Sequence, residues 1–325
     1  MFITASSTIS HQHSFRNNGF SLNLSELNPA SETIEPDYSE FIPAMDRRRM
    51  SNVIKMAIAC SIDCLQQAGL DQPDGIIVGT SMGCCVHTKN FLDKIIAAND
   101  GPLSPTNFIV STHNTIAGQI SLLLKNHGYN ITHTQNSLSF EQALLDGILC
   151  IQNGYENVLV GGADEEEDTI YNMKARLNDE NLHLTYGSSF FILSGEAATP
   201  VNLIDVGSFG LINDPSKIIM KFLDSNNLSH GEIDLVLYAN TEHKKTDQLK
   251  MIFGQEKIFD YQKISGTYYT NSAFAMNYGI DILRQGSHPV FGNSISKVLV
   301  CNNLIPENLG LILLENKINS VETNK

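Results

Sequence analysis

The chain has 325 residues, a formal net charge of −14 and 42% apolar residues. That length suits one large α/β domain or two smaller ones. The acidic balance excludes a basic nucleic-acid-binding face, and no apolar run approaches the length of a membrane span.

The opening MFITASSTIS lacks a basic region and a long apolar core, so no secretory signal is expected and the expected place is the cytoplasm. Residues 1–40 read as one strand, Met1 to Thr4, followed by loops. Met45, Val53, Met56, Ala57, Cys60 and Cys64 form a helical apolar stripe, with Asp46 as its N-cap and Gly69 as its stop. Arg47, Arg48 and Arg49 are the only dense basic cluster. DGIIVGTSMGCC is a buried strand entering a glycine-containing turn, and PTNFIVSTHNTIAGQISLLLKNHG is a loop leading into a helix. The six cysteines lie mostly inside apolar runs, the Cys84-Cys85 pair included, and predict buried inert thiols rather than disulfides. The ten histidines form no HExxH and no Cys/His quartet, so neither a metal nor a cofactor is expected.

The stretch from Asn126 to Glu165 holds three elements. NITHTQ alternates and is rich in β-branched residues, which predicts a strand over 131–136. SFEQALLDGILCIQNG has apolar residues at Phe140, Leu144, Ile148 and Ile151, a helix with Ser137 or Ser139 as N-cap and Gly154 as stop. NVLVGG is a strand buried on both faces. Such a unit closes as a right-handed parallel crossover, and the turn Asn136-Ser137-Leu138 sets a small hydroxyl residue at the strand-to-helix junction. The acidic run Asp164 to Asp168 reads as a solvated loop.

YGSSFFILS is a further buried strand, and then the chain repeats itself. KFLDSNNLSHGEIDLVLYANTE mirrors CLQQAGLDQPDGIIVGTS, and GIDILRQG, KVLVCNN and NLGLILLEN mirror ALLDGILCIQNGYENVLVGG and YGSSFFILS. The repeat predicts two similar α/β halves, 1–196 and 197–318, with a disordered tail over 319–325 and buried strands at 131–136, 157–161 and 235–239.

Residues 126–165 resemble the nucleophile region of the β-ketoacyl-acyl-carrier-protein synthases. In that family a glycine opens the strand, a cysteine sits on the turn, and the unit ends in a Gly-Gly strand terminus with an acidic residue after it. Gly128, Gly154, Gly161, Gly162 and Asp164 fit this frame without a gap. The STHNTIAGQ and SFEQALLDG wording resembles a narrower group, the chain-length-factor-like proteins of aryl polyene and flexirubin pathways. The resemblance implies a thiolase-like layered αβαβα fold with two pseudo-repeated halves.

It also implies that the condensing chemistry is lost. Ser137 stands at the nucleophile position, and a serine without a base is a poor nucleophile. Matching on Asn240 puts Glu242 at the first histidine position, with His243 one place beyond. Asn271-Ser272 replaces the second Gly-His, and Thr267 lies near the lysine position. The final glycine-rich loop is Cys301 to Asn308, which lacks glycine and includes Pro306. The family frame then implies an acyl tunnel along Asn107, Phe108, Thr112, Thr115 and Gln119, with Phe108 either the stop or simply core. It implies an interface strand carrying Ile131, Thr132, His133 and Thr134, pairing antiparallel with an active ketosynthase, and contact with an acyl carrier protein through that complex. Two other readings stay open. One is an acyltransferase or thioesterase using Ser137, with His133 on the preceding strand; the other is a carrier-protein binding module built on Arg47–Arg49.

Overall fold

The computed structural model describes residues 1–28, 30–98, 105–165, 167, 184–196, 199–240 and 243–317. The first half of the chain supplies β1 (Phe2–Ile9), β2 (Gly75–Gly79), β3 (Tyr129–His133), β4 (Asn157–Asp164) and β5 (Gly187–Ser194). The second supplies β6 (Val201–Phe209), β7 (Leu235–Asn240), β8 (Ile258–Asp260), a small ribbon of β9 (Ser287–His288) and β10 (Gly292–Asn293), then β11 (Lys297–Asn303) and β12 (Leu309–Asn316). The helices are α1 (Ala44–Arg47), α2 (Asn52–Ala68), α3 (Cys85–Ala98), α4 (Pro105–Ile109), α5 (Thr115–Leu124), α6 (Ser139–Gln152), α7 (Pro215–Ser225), α8 (His243–Phe253), α9 (Gln262–Ser265) and α10 (Asn271–Gln285).

The sheet order is β3-β2-β4-β5-β1-β6-β12-β11-β7-β8. Read outward from the centre, each half runs through the same five strands in the same order. The strand directions match as well: β2 is parallel to β3 and β4, and β7 is parallel to β8 and β11, while β5 and β12 are antiparallel to their neighbours. The halves meet at β1 and β6, where Phe2 faces Asn202 and Leu203 N–H donates to the Met1 carbonyl at 2.9 Å.

Strand periodicity sorts the side chains into layers. On β2, Ile77 faces the central core while Ile76 and Val78 face an outer one. The outer core of the first half is covered by α2 and α5, through Val53, Met56, Cys60, Ile116 and Ile120. The corresponding core of the second half lies under α7 and α8, through Ile219, Leu223, Leu249 and Phe253. Between them, α6 and α10 share one cluster that includes Phe140, Leu144, Phe274 and Tyr278. This is the expected layered αβαβα architecture.

Several local expectations change. The helix expected from Met45 onward is interrupted. The short α1 ends at Arg47, α2 starts at Asn52 after Ser51, and Met45 is 76% exposed rather than part of the stripe. Gly69 does close α2, in the left-handed conformation at φ 66°. The N-terminal strand is twice as long as expected because it pairs along its length with β5. β3 ends at His133 instead of residue 136, and it is half-buried rather than buried because it is the edge of the sheet. Thr134 is exposed beyond the strand. The acidic run is not a solvated loop where it is described: Asp164, Glu165 and Glu167 are all buried. The tail 319–325 lies outside the described residues.

Candidate functional site

β3 delivers the chain to the turn through Asn136, a non-glycine residue in the left-handed region at φ 52°. A single tight turn, Asn136–Leu138, leads into α6. Neither serine caps the helix through its side chain. Ser139 is instead the first helical residue; its hydroxyl accepts from Gln135 N–H at 2.8 Å and donates to the Asn136 carbonyl at 2.7 Å, closing the turn on itself. Gly79 at the end of β2 is needed here, since a Cβ would strike the Ser139 carbonyl.

Ser137 is fully buried. Its Oγ accepts from Asn308 Nδ2 at 3.2 Å, and its carbonyl accepts from Asn302 Nδ2 at 2.6 Å. Asn302 Nδ2 also donates to Glu141 Oε1 at 2.9 Å. The covering loop is pinned by Asn303 Nδ2, which donates to the carbonyls of Ile305 and Pro306 at 3.2 Å and of Asn308 at 2.6 Å. The loop of the sequence motif therefore lays the side-chain amides of Asn302 and Asn308 on Ser137. Burial pushes the Glu141 carboxyl up to about 7, against opposing hydrogen bonds from Asn302 and its own backbone. Ser272, also fully buried, is near enough to help hold that pKa down, yet its hydroxyl and Glu141 Oε2 make no hydrogen bond of ordinary geometry.

The base that Ser137 would need is committed elsewhere. His133 Nε2 lies 2.9 Å from Asp146 Oδ2, and Tyr129 OH donates to the same carboxylate at 3.1 Å. Among the described residues no histidine contacts Ser137. Glu242 and the side chain of His243 lie outside the described residues. Thr267, near the lysine position, accepts from Gln262 Nε2 at 2.9 Å.

The acidic residues at the end of β4 organise the rim. Asp164 Oδ1 accepts from Thr80 Oγ1, Ser81 N–H and Met82 N–H at 3.0, 2.8 and 3.1 Å. Its Oδ2 accepts from the N–H and the hydroxyl of Thr270 at 3.0 and 2.9 Å. Burial still raises its pKa above the usual carboxylate value. Glu165 accepts from Val53 N–H at 3.3 Å and Val86 N–H at 3.0 Å, so one side chain caps both α2 and α3. These roles were missed in the sequence. The burial of Glu141 was missed too, and its signal was a charge set beside Phe140 and Leu144 in its helix.

The tunnel candidates separate. The side chain of Asn107 lies outside the described structure. Phe108, on α4, is 57% exposed and packs on Phe91 with ring centroids 5.5 Å apart, so it is not a core residue of this chain. Thr112 follows the end of α4 and does not share a helical face with Phe108; its hydroxyl lies 3.1 Å from that of Thr115. Gln119 lines a cavity of about 230 Å³ with Arg49, Met50, Ile54, Ile109 and Val110. Leu92, Ile95 and Ile96 on α3, and Ile109 next to Phe108 on α4, are exposed. Ile131, Thr132 and His133 all lie on the half-buried edge strand.

All six cysteines are buried and free, and burial pushes the Cys84 and Cys85 thiols up. Among the described residues no cluster of three His, Cys, Asp or Glu side chains could hold a metal ion, and no described helix is long and apolar enough to cross a membrane.

The sequence model of the family described as "Beta-ketoacyl synthase, N-terminal domain" matches residues 24–199. No curated protein sequence matches the chain. Among solved structures, the chain is similar to the ishigamide ketosynthase/chain length factor, with TM-score 0.78, 16% identity and coverage of 97% of this chain and 98% of the other. It is similar to a ketosynthase in complex with its chain length factor from Xenorhabdus doucetiae, with TM-score 0.76, 15% identity and 97% coverage of both chains. It is also similar to a type II polyketide synthase acyl-carrier protein complex with its hexaketide-bound ketosynthase, with TM-score 0.77, 11% identity and coverage of 96% and 98%. At these identities the likeness is one of fold.

Proposed function

The chain belongs to the β-ketoacyl synthase family, and we propose that within it this protein is a non-catalytic, chain-length-factor-like subunit that pairs with an active ketosynthase and shapes its acyl tunnel. One observation carries this reading: Ser137, which the resemblance sets at the nucleophile position, is fully buried beneath Asn302 and Asn308 with no histidine in contact among the described residues. Thiolate, histidine pair and open oxyanion donors are what decarboxylative condensation requires, and a sealed serine supplies none of them.

The unpaired edge of β3 and the exposed apolar residues of α3 and α4 support a protein partner. The similar structures include ketosynthases with their chain length factors, and one with its acyl carrier protein, which supports a ketosynthase partner and carrier contact through it. The STHNTIAGQ and SFEQALLDG stretches support an aryl polyene or flexirubin-type product, made in the cytoplasm. We place the division between the two halves at 196–197, in the segment joining β5 to β6.

Co-expression with a ketosynthase from the same source tests the proposal. The expected result is a 1:1 complex whose product length changes when this chain is altered, and no condensation by this chain alone. Condensation by the isolated chain, or acylation of Ser137 by carrier-bound substrate, would overturn it.

A further inference from the structure

Glu141 lies wholly inside the molecule, and the proposed function makes no use of it. Its carboxyl occupies space that β12 leaves free, because a Cβ on Gly310 would collide with Oε1. Four elements surround it. Ser137 lies on the turn before its own helix, Asn302 comes from β11, Gly310 from β12 and Ser272 from α10. Among the described residues the other titratable group that faces it is Tyr261, whose hydroxyl donates to Asn271 Oδ1 at 3.4 Å. No Lys, Arg or His among the described residues pairs with Glu141.

A buried carboxylate with hydrogen bonds only from Asn302 and its own backbone, and no cation, is costly. A neutral acid is not, provided that its O–H finds an acceptor. Two polar atoms beside one another here lack a partner, Glu141 Oε2 and Ser272 Oγ. We propose that Glu141 is carried as the neutral acid, donates its O–H to Ser272, and so forms a latch that ties α6 to α10 and, through Asn302, to the loop sealing Ser137. The burial that raises the acid to about 7 supports this. On ionisation the Ser272 hydroxyl can turn and donate, but the desolvated charge stays uncompensated. The latch therefore loosens as pH rises past neutrality.

Two measurements on the full chain test the latch. Infrared difference spectra at pH 6 should show the C=O stretch of a protonated carboxylic acid that Glu141→Gln removes. Ser272→Ala should shift that band towards the frequency of a non-bonded acid. Amide hydrogen exchange, normalised for its intrinsic pH dependence, should rise about tenfold more in residues 300–308 of the wild type than of Glu141→Gln between pH 6 and pH 8. If Glu141→Gln does not fold, the band shift in Ser272→Ala decides. Absence of the acid band at pH 6, an unshifted band in Ser272→Ala, or equal exchange in both proteins overturns the proposal.

Discussion

Ser137→Ala separates a structural serine from a reacting one. The variant loses one hydrogen bond from Asn308, worth about 1 kcal/mol, and no group that could accept a proton from the hydroxyl is disturbed. Product formation by the complex with a ketosynthase should stay unchanged. A drop as large as that from removing the partner's nucleophile would refute the non-catalytic reading. Asp164 lies at the other extreme. Replacing it with Ala strands the donors of Thr80, Ser81, Met82 and Thr270 in a buried place, which should cost about 3–5 kcal/mol. Urea denaturation measures this directly. A loss below about 1 kcal/mol would mean that water replaces the carboxylate there. Asp164 could be picked out in the sequence as a motif residue, but its work could not, since its partners lie more than 80 positions away.

Among the elements, β3 and α4 make the sharpest claims. In a parallel pair, adjacent residues turn their N–H groups to opposite sides, so one of Ile131 and Thr132 presents its donor outward from the sheet edge. Proline at the outward position should break the complex with the ketosynthase while leaving this chain folded, and proline at the inward position should disturb the β2–β3 ladder. Size-exclusion chromatography with circular dichroism distinguishes the two. If neither proline weakens the complex, β3 is not the interface. Phe108 projects from α4 with more than half its surface exposed, so Phe108→Ala should cost under about 1 kcal/mol rather than the 3–5 kcal/mol of a core deletion. If it stops chain growth, the assembled complex should release longer products by mass spectrometry. Unchanged product length from a well-assembled complex would remove Phe108 from the tunnel.

For the whole molecule, the central cluster decides cooperativity. Because α6 and α10 belong to different halves and pack in one core, neither half buries its apolar surface alone. Separately expressed segments 1–196 and 197–325 should be unfolded, and the full chain should unfold in one calorimetric transition. A folded isolated half would contradict this. Buried carboxyls also set a pH dependence. Burial raises Glu141, Asp164 and Glu165, so the folded state holds protons that the unfolded state releases. Stability is then greatest at low pH in this respect and falls as pH rises through the folded-state values. For Glu141 the window runs from 4.5 to about 7, a difference worth about 3 kcal/mol. Between pH 4 and pH 8 the wild type should lose about that much more stability than Glu141→Gln. Equal losses would place Glu141 in a more polar setting than its burial implies.

The periodic elements and the duplication are written in the amino-acid sequence alone, as is the resemblance that sets Ser137 where the family has its cysteine. Each is written locally: apolar spacing marks a strand or a helix, repeated wording marks a repeated unit, and a serine in the cysteine frame is visible at its own position. Only the tertiary structure decided the rest. The stripe from Met45 to Cys64 could not reveal the break before Asn52, because α2 is capped from Glu165, 112 residues from Val53. β3 could not be known as an edge until the sheet order was known, nor Phe108 as exposed until α4 was seen to lie on the surface. Periodicity records how a residue alternates between inside and outside within its own element, whereas partners, edges and surfaces come from how distant elements are brought together.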